Sequence, residues 1–230
     1  MKSVLCFAAV GLLWGSAVQA EISNNQRDRV QKAAEVVTAL RGAPDKGIPE
    51  ELWEKANCVV VLPGVKKAAF GIGGEFGKGV MSCRTATGWS APAFMEMAKG
   101  SFGFQIGGQE ADLVLLVMNR QGIDKMLKDK VTLGADASVS AGPVGRTGAA
   151  ATDVRLNAQI LSYSRSRGLF AGIDVSGGVL RPDKDANADT YGVSVAPYDV
   201  VASGTIAAPA QATAFLKALG TSVRATTGVK

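Results

Sequence analysis

The feature that most limits how this chain can fold is its glycine content. Glycine occurs 28 times in 230 residues, and the segment 71–79 alone holds five of them. Glycine weakens the interior of a helix and lets the backbone turn or approach another segment closely. Hydrophobic residues make up 47% of the chain, enough for one buried core, and aromatic residues only 6%. This mix favours strands and tight turns over a helix bundle.

The glycine-rich segment does not have the spacing of a phosphate-binding loop. Lys78 is followed by Gly79 where such a loop has Ser or Thr, and Ile72 stands where its first glycine is required. The spacing of a dinucleotide-binding turn is also absent. We therefore interpret the segment as strands that bend or pack closely, and we expect no cofactor.

Helical periodicity is clearest near the beginning of the chain. From 24 to 41, apolar residues recur at helical spacing, at Val30, Ala33, Ala34, Val37 and Leu40. Asn24 or Asn25 is placed to cap this helix and Gly42 to end it. Because the apolar face is mostly alanine and valine, we expect it to pack on the core rather than enter a membrane.

The remaining pattern predicts several strands between helices. Further helices are expected at 49–56, at 123–130 and from Pro209 to Gly220. Strands are expected at 59–62, ended by a Pro63-Gly64 turn, and at 68–76, 80–84, 89–97, 101–106, 113–118, 169–175 and 191–195. This order predicts an α+β fold with an antiparallel sheet or partial barrel, N-terminal helices and a C-terminal helix.

The first twenty residues have the form of an export signal. Lys2 precedes a short apolar stretch, and Val18 and Ala20 occupy the small-residue positions of a cleavage site before Glu21. The alternative is a membrane anchor, but the stretch is shorter than the ~20 residues of a membrane span. We predict a signal peptide at 1–20, one domain at 21–230 with its core at about 30–220, and a periplasmic or secreted location. Removing Lys2 would leave a formal charge of about +4.

Cysteine and histidine content limits the chemistry. After cleavage, Cys58 and Cys83 would remain, on segments that read as neighbouring strands. A disulfide is favoured in an oxidising compartment, and two buried thiols are the alternative. The chain has no histidine, which removes the usual triads and histidine metal centres. We expect no metal site and no enzymatic activity; the alternative is an enzyme that uses carboxylates, for which Asp136, Asp153 and Asp174 are the candidates.

One acidic segment resembles the start of a calcium loop. Asp183, Asp185, Asn187 and Asp189 have the alternating spacing of such a loop. However, its sixth position is Ala188 instead of glycine, and its twelfth is serine instead of glutamate. We therefore predict a polar turn between two strands.

Basic residues suggest a binding surface for anions. We select Lys66, Lys67, Arg146, Arg165 and Arg167 as candidate contacts to phosphate oxygens. The alternative is that these charges are ordinary solvated surface. If they join into one patch, the sequence predicts a site for anionic lipid headgroups.

The motifs of the chain closely resemble those of the SYLF domain family. The resemblance runs over about residues 30–220, and it rests on several motifs in order. They are Leu62-Pro63 with Lys66-Lys67, Gly77-Lys78-Gly79, 88–92, 103–107, 134–146 from Gly134 to Arg146, 163–172 from Tyr163 to Gly172, and Asn187 with Tyr191-Gly192.

The resemblance implies a binding module. Eukaryotic members of the family bind phosphoinositides and other anionic lipids, fungal members also bind actin, and no enzymatic activity is usually attributed to the family. Bacterial members are often exported, and with its signal-like first twenty residues this chain resembles an exported bacterial member. In this chain, Lys66 and Lys67 match a basic position of the pattern. We therefore expect anionic phospholipid or a membrane surface as the partner, with no nucleic acid. The alternative is a structural or adhesive envelope protein that acts through contacts with another protein.

Overall fold

A computed structural model describes residues 22–43, 47–70, 72–102, 107–128, 130–145, 158–166 and 169–220. The predicted signal peptide lies outside these ranges, as do Arg146, Asp153 and Arg167. Among the helices within these ranges, none combines the length and the apolar character that a membrane crossing requires.

The described residues form helices at both ends of the chain and strands between them. The helices are α1 (Asn24–Arg41), α2 (Glu50–Lys55), α3 (Arg120–Lys128), α4 (Lys184–Tyr191), α5 (Pro197–Ala202) and α6 (Thr213–Leu219), the last preceded by a 3₁₀ turn at Ala210–Ala212. The strands are β1 (Cys58–Phe70), β2 (Ile72–Cys83), β3 (Ala93–Phe102), β4 (Gly107–Val117), β5 (Val131–Thr132), β6 (Val139–Ala141), β7 (Ile160–Ser166), β8 (Leu169–Gly172) and β9 (Val179–Pro182).

The strands of the described part form one open nine-stranded sheet. Its order is β5-β9-β3-β2-β1-β4-β7-β6, and β8 pairs with β7 beside β6. All pairings are antiparallel except that of β6 with β7. The predicted α+β class, with an antiparallel sheet between N-terminal and C-terminal helices, is therefore confirmed.

Helices cover both faces of the sheet and bury two layers of apolar side chains. One face, here called the α1 face, packs against α1, α2 and α6 through residues such as Val37, Trp53 and Phe215. The other, the α3 face, packs against α3 and α5 through residues such as Met126 and Val200. Because strand residues alternate between faces, the central strands supply apolar side chains to both layers.

Helix α1 packs on the core, as its alanine-rich face predicts. Its apolar residues Val30, Ala33 and Val37 are completely buried, so this helix has no apolar face free for a membrane. The cap is Ser23, whose hydroxyl accepts a hydrogen bond from the Gln26 amide, and not Asn24 or Asn25. Gly42 follows the last turn, as predicted.

The predicted turn at Pro63-Gly64 is wrong, because β1 continues through it as a β-bulge. Residues 62–65 of β1 lie opposite only three residues of β2, 77–79. Proline cannot donate a hydrogen bond to the sheet, and Gly64 adopts a φ of 58°, which a side chain would disfavour. The extra residue bends the strand without ending it.

The predicted strand 68–76 is also wrong, because the segment belongs to two strands. Phe70 pairs with Ile72, so β1 turns into β2 within it. The alternation of apolar and polar residues does not mark the boundary between β1 and β2, because both strands of this hairpin are rich in small residues.

The acidic segment 183–189 forms a helix instead of the predicted polar turn. Asp183 caps α4 by accepting a hydrogen bond from the Ala186 amide. The Asn187 side chain is buried and bonds both the amide and the carbonyl of Phe94. These tertiary bonds fix a helix that its short polar residues alone would not favour. The predicted strand at 191–195 is likewise wrong, since Tyr191 ends this helix.

The two cysteines that follow the predicted signal form a disulfide. Cys58 and Cys83 are directly opposite each other on β1 and β2, with their Cα atoms 3.9 Å apart. The prediction of a bridge is therefore confirmed over that of two free thiols.

Candidate functional site

The bulge in β1 creates a depression beside α1 on the α1 face of the sheet. It has a volume of about 360 Å³. Its lining combines three cations and three carboxylates with the bulge, namely Lys32, Glu35, Val36, Pro63, Gly64, Lys66, Glu110, Asp112 and Arg165. Two of the predicted phosphate-contacting residues, Lys66 and Arg165, thus meet in one place.

Arg165 is held in a fixed position at this depression. Its Nε atom donates to Asp112 Oδ2 at 2.8 Å, and the two residues are register partners on β4 and β7. The other carboxylate oxygen of Asp112 accepts the Gly64 amide at 3.0 Å. The Arg165 guanidinium also lies 5.9 Å from the centre of the Phe170 ring. Asp112 therefore links the bulge to the arginine.

Lys66 projects from the bulged strand into solvent. It lies opposite Glu110 on β4 and Phe76 on β2, and no ion pair involves it within the described residues. Lys32, the third cation of the depression, forms an exposed pair with Asp28 at 2.9 Å, one turn earlier in α1. The hydrogen bond to Asp28 raises the Lys32 pKa. Of the two lysines that line the depression, Lys66 is therefore the one without an ion pair among the described residues.

Lys67 lies on the opposite face of the sheet from Lys66. Its ammonium group is 3.0 Å from Glu75, its register partner on β2. It borders a second depression, of about 310 Å³, together with Lys99 and Asp174. The structure thus brings Lys66 and Arg165 together and separates Lys67 from them.

The described carboxylates considered for catalysis serve local turns. Asp136 accepts the Thr132 amide at 2.7 Å. Asp174 accepts hydrogen bonds from the hydroxyl and the amide of Ser176, which lower its pKa. Both side chains are exposed, and Asp174 lines the second depression beside Lys67 and Lys99. Within the residues described, no cluster of three metal-ligating side chains occurs.

Sequence reasoning missed a network of charges that joins α1 to the sheet. Asp183 is buried, and one of its oxygens accepts from Arg29 at 2.7 Å and from Lys78 at 2.9 Å. Lys78 also approaches Glu96, which pairs with Arg181. Burial acts to raise the pKa of Asp183, but the hydrogen bonds from Lys78 and Arg29 hold it below its usual value. The network is structural, and its residues come from segments far apart in the sequence, so no local pattern of charges could have revealed it.

Several of the motif residues that carried the resemblance serve packing. A side chain at Gly142 would overlap the buried ring of Tyr163, and one at Gly172 would overlap the Gly142 carbonyl. Burial raises the pKa of the Tyr163 hydroxyl. These glycines are therefore required where β6, β7 and β8 meet.

Comparison with known proteins places these motifs in a family. Residues 98–222 match the family model described as "Ysc84: Las17-binding protein actin regulator". This match covers more than half of the chain.

Full-length relatives extend the similarity toward the N-terminus. The "SH3 domain-containing YSC84-like protein 1" of Rattus norvegicus is 34% identical over 198 residues, 83% of this chain and 58% of the relative. In Saccharomyces cerevisiae, "Protein YSC84" is 31% identical over 86% of this chain and 44% of its own length. "LAS seventeen-binding protein 3" of the same species is 33% identical over 74% of this chain and 39% of its own length.

These names describe binding and regulation, and they name no reaction. The chain spans only about half the length of these relatives, from 39% of LAS seventeen-binding protein 3 to 58% of the rat protein. Nevertheless, the identity above 30% over most of this chain, together with the family model, confirms the resemblance seen in the motifs. The chain therefore belongs to the Ysc84 family, also known as the SYLF family.

Proposed function

We propose that this protein is a non-catalytic module that binds anionic lipid headgroups at the cell envelope, through Lys66 and Arg165. The observation that carries the proposal is their arrangement around one open depression. Lys66 is exposed without an ion pair among the described residues, and Arg165 is fixed beside it by Asp112. A guanidinium held through Nε keeps its other N–H groups available, and these match phosphate oxygens well.

The depression would attract an anion because of where its individual charges lie, and not because of its net charge. Its three cations face three carboxylates. Asp112 is engaged by Arg165, and Lys32 by Asp28. Lys66, Glu35 and Glu110 remain, so Lys66 is the cation of the depression on which the local potential depends most, and a change there has a direct effect on it. A mild positive charge of the whole chain adds a weak general attraction to an anionic surface.

The location proposed for this binding is the periplasm or the outside of the cell. The signal-like residues 1–20 support it, and so does the disulfide, which persists in oxidising compartments. The lipids within reach there would be anionic phospholipids.

The test is co-sedimentation of the chain from Glu21 onward with vesicles. All described residues lie within this chain, and the apolar first twenty residues cannot contribute. Neutral vesicles are compared with vesicles that contain phosphatidylglycerol or a phosphoinositide, each at low and high salt. We expect binding to anionic vesicles that weakens in salt, because exposed charges are screened.

A charge reversal at Lys66 then locates the site. Each surface-proximal charge contributes about 1 kcal/mol, so Lys66→Glu should weaken binding roughly thirtyfold and Lys66→Gln about fivefold. Lys55→Glu is the matched control, since Lys55 is exposed on α2 at the opposite end of β1. Equal losses in Lys66→Glu and Lys55→Glu would mean that only overall charge matters, and no binding to any vesicle would refute the proposal.

A protein partner is the second candidate, and the relatives' names favour it. The family model refers to Las17 binding and actin regulation, which are properties of those proteins. For this chain, the corresponding proposal is a structural or adhesive contact with another protein at the cell envelope. Pull-down that persists without lipid and is unchanged in Lys66→Glu would support it over headgroup binding.

A further inference from the structure

Four large apolar side chains are exposed in the described part of the chain, and they divide between two ends of the molecule. The exposed fraction of the residue is 50% for Phe76, 62% for Leu169, 94% for Val193 and 41% for Tyr198. Phe76 and Leu169 lie at the end of the sheet where β1 leads into β2, β3 into β4 and β7 into β8, here called the hairpin end. Val193 and Tyr198 lie at the other end, because Tyr191 bonds the carbonyl of Pro92, just before β3 begins.

At the hairpin end, the two apolar residues are on opposite faces of the sheet. Phe76 is the register partner of Lys66 and so lies on the α1 face. Phe170 also belongs to the α1 face, so its neighbour Leu169 points toward the α3 face. An exposed apolar residue on each face is the arrangement expected if this end of the sheet meets a surface end-on, with the strands pointing toward it.

Phe76 is exposed because its neighbours toward the hairpin end are glycines. Gly74 and Gly100 are register partners one step closer to that end. A side chain at Gly100 would meet nothing within 4 Å, and one at Gly74 would make only an ordinary contact with the Lys99 carbonyl. The fold therefore has room for larger residues at both positions. Their absence leaves the Phe76 ring uncovered on the side of Gly74 and Gly100.

The charges distinguish the two ends. Each face of the hairpin end carries a lysine without an ion pair in the described residues, Lys66 on one face and Lys99 on the other. At the far end, the segment 184–199 that carries Val193 and Tyr198 holds three exposed carboxylates, Asp185, Asp189 and Asp199, against one exposed lysine, Lys184. The acidic far end would be repelled by an anionic surface, whereas the hairpin end presents it with two lysines without ion pairs.

We infer that the hairpin end is the part of the molecule that enters the headgroup region of an anionic bilayer, with the sheet standing end-on. Phe76 and Leu169 enter the boundary between headgroups and acyl chains, where aromatic and aliphatic side chains on a soluble domain gain from burial. Lys66 and Arg165 then meet phosphates just above them. This inference rests on the proposed lipid binding and adds the orientation and the apolar contacts.

The test is fluorescence quenching by phosphatidylglycerol vesicles with brominated acyl chains. Single tryptophans are placed by Phe76→Trp, Leu169→Trp and Tyr198→Trp in the chain from Glu21 onward, where the native Trp53 is buried and Trp89 is half-buried. We expect quenching beyond that of the parent protein at positions 76 and 169 and none at 198.

The outcomes separate this inference from the proposed function. If the parent protein binds and only position 76 is quenched, contact is through the α1 face, and the end-on orientation is overturned while headgroup binding stands. Quenching at position 198 instead would also overturn it. If the parent protein binds no anionic vesicle, both proposals fall.

A second variant tests the same surface without altering the anchors. Gly100→Glu adds a carboxylate where the fold leaves space, so its melting temperature should match that of the neutral control, Gly100→Gln. One added negative charge near the surface should weaken vesicle binding about fivefold relative to that control. Equal binding by the two variants would contradict the inference.

Discussion

Asp183 is the residue at which three elements of the molecule meet. Its carboxylate caps α4, accepts a hydrogen bond from Arg29 of α1 and accepts another from Lys78 of β2. The side chain is only 6% exposed, so its charge depends on these partners for stabilisation. The residue therefore ties the first helix to the sheet without contributing to any binding surface.

Replacing Asp183 should destabilise the protein mainly by leaving Arg29 without its carboxylate partner and Lys78 with only its longer contact to Glu96. Asp183→Asn keeps a side chain able to cap α4 but removes the charge between Arg29 and Lys78. Since both cations are partly exposed, we expect a loss of about 2 kcal/mol in the free energy of unfolding, measured by urea denaturation. The exposed pair of Asp28 and Lys32 provides the control, because Asp28→Asn should change the free energy by less than about 0.5 kcal/mol.

The same residue makes part of the stability depend on pH. Because the pKa of Asp183 is lowered in the folded state, its contribution is complete above the unfolded pKa of about 3.9 and is lost as pH falls through the folded value. The parent protein should thus lose more stability below pH 4 than Asp183→Asn does. Parallel losses would show that the carboxylate is not held by its partners.

At the scale of elements, the bulge in β1 requires the glycines of β2 that lie opposite it. The extra residue pushes β1 toward β2, so a side chain at Gly79 would overlap the Val61 carbonyl, and one at Gly77 would press on the Val65 side chain. The glycine-rich segment, which the sequence analysis attributed to close packing of strands, is thus required opposite the bulge. The bulge also places Lys66 and the Gly64 amide at the candidate site.

A matched pair of alanine substitutions tests whether the bulge requires glycine in β2. Gly79→Ala should lower the free energy of unfolding by about 3 kcal/mol or more, because backbone has to move. Gly100→Ala, in the neighbouring strand, should leave it unchanged within about 0.5 kcal/mol, since a side chain there meets open space. Thermal denaturation of both variants measures the difference, and similar effects would mean that the bulge does not need glycine.

The elements differ in how far they could be predicted from the sequence. Helix α1 and the C-terminal helix follow from periodicity alone, because one face of each is buried on a single layer. The bulge at Pro63-Gly64 reads as a turn, since a bulge and a turn use the same residues. Helix α4 depends on bonds from Asn187 to Phe94, which are distant in sequence. The division of Lys66 and Lys67 between the two faces was missed because they were expected to follow a turn, whereas they lie in a strand, where neighbouring residues alternate between faces.

At the scale of the whole molecule, the sheet cannot be divided where the family model begins. The match starts at position 98, inside β3, whereas the central pairings of the sheet are those of β1 with β2 and β4. A chain of residues 98–222 would lack α1, β1 and β2. It would leave one edge of β4 unpaired and the apolar residues of the α1 face, such as Phe215, without their cover.

We therefore predict that residues 22–222 fold as one unit and that residues 98–222 alone do not. The longer chain should show a cooperative thermal transition by circular dichroism and dispersed amide signals by NMR. The shorter chain should lack both and should aggregate, because β4 exposes a long apolar edge. A folded, cooperative 98–222 fragment would show that the C-terminal half is an independent domain, to which the N-terminal helix and hairpin were added as a separate layer.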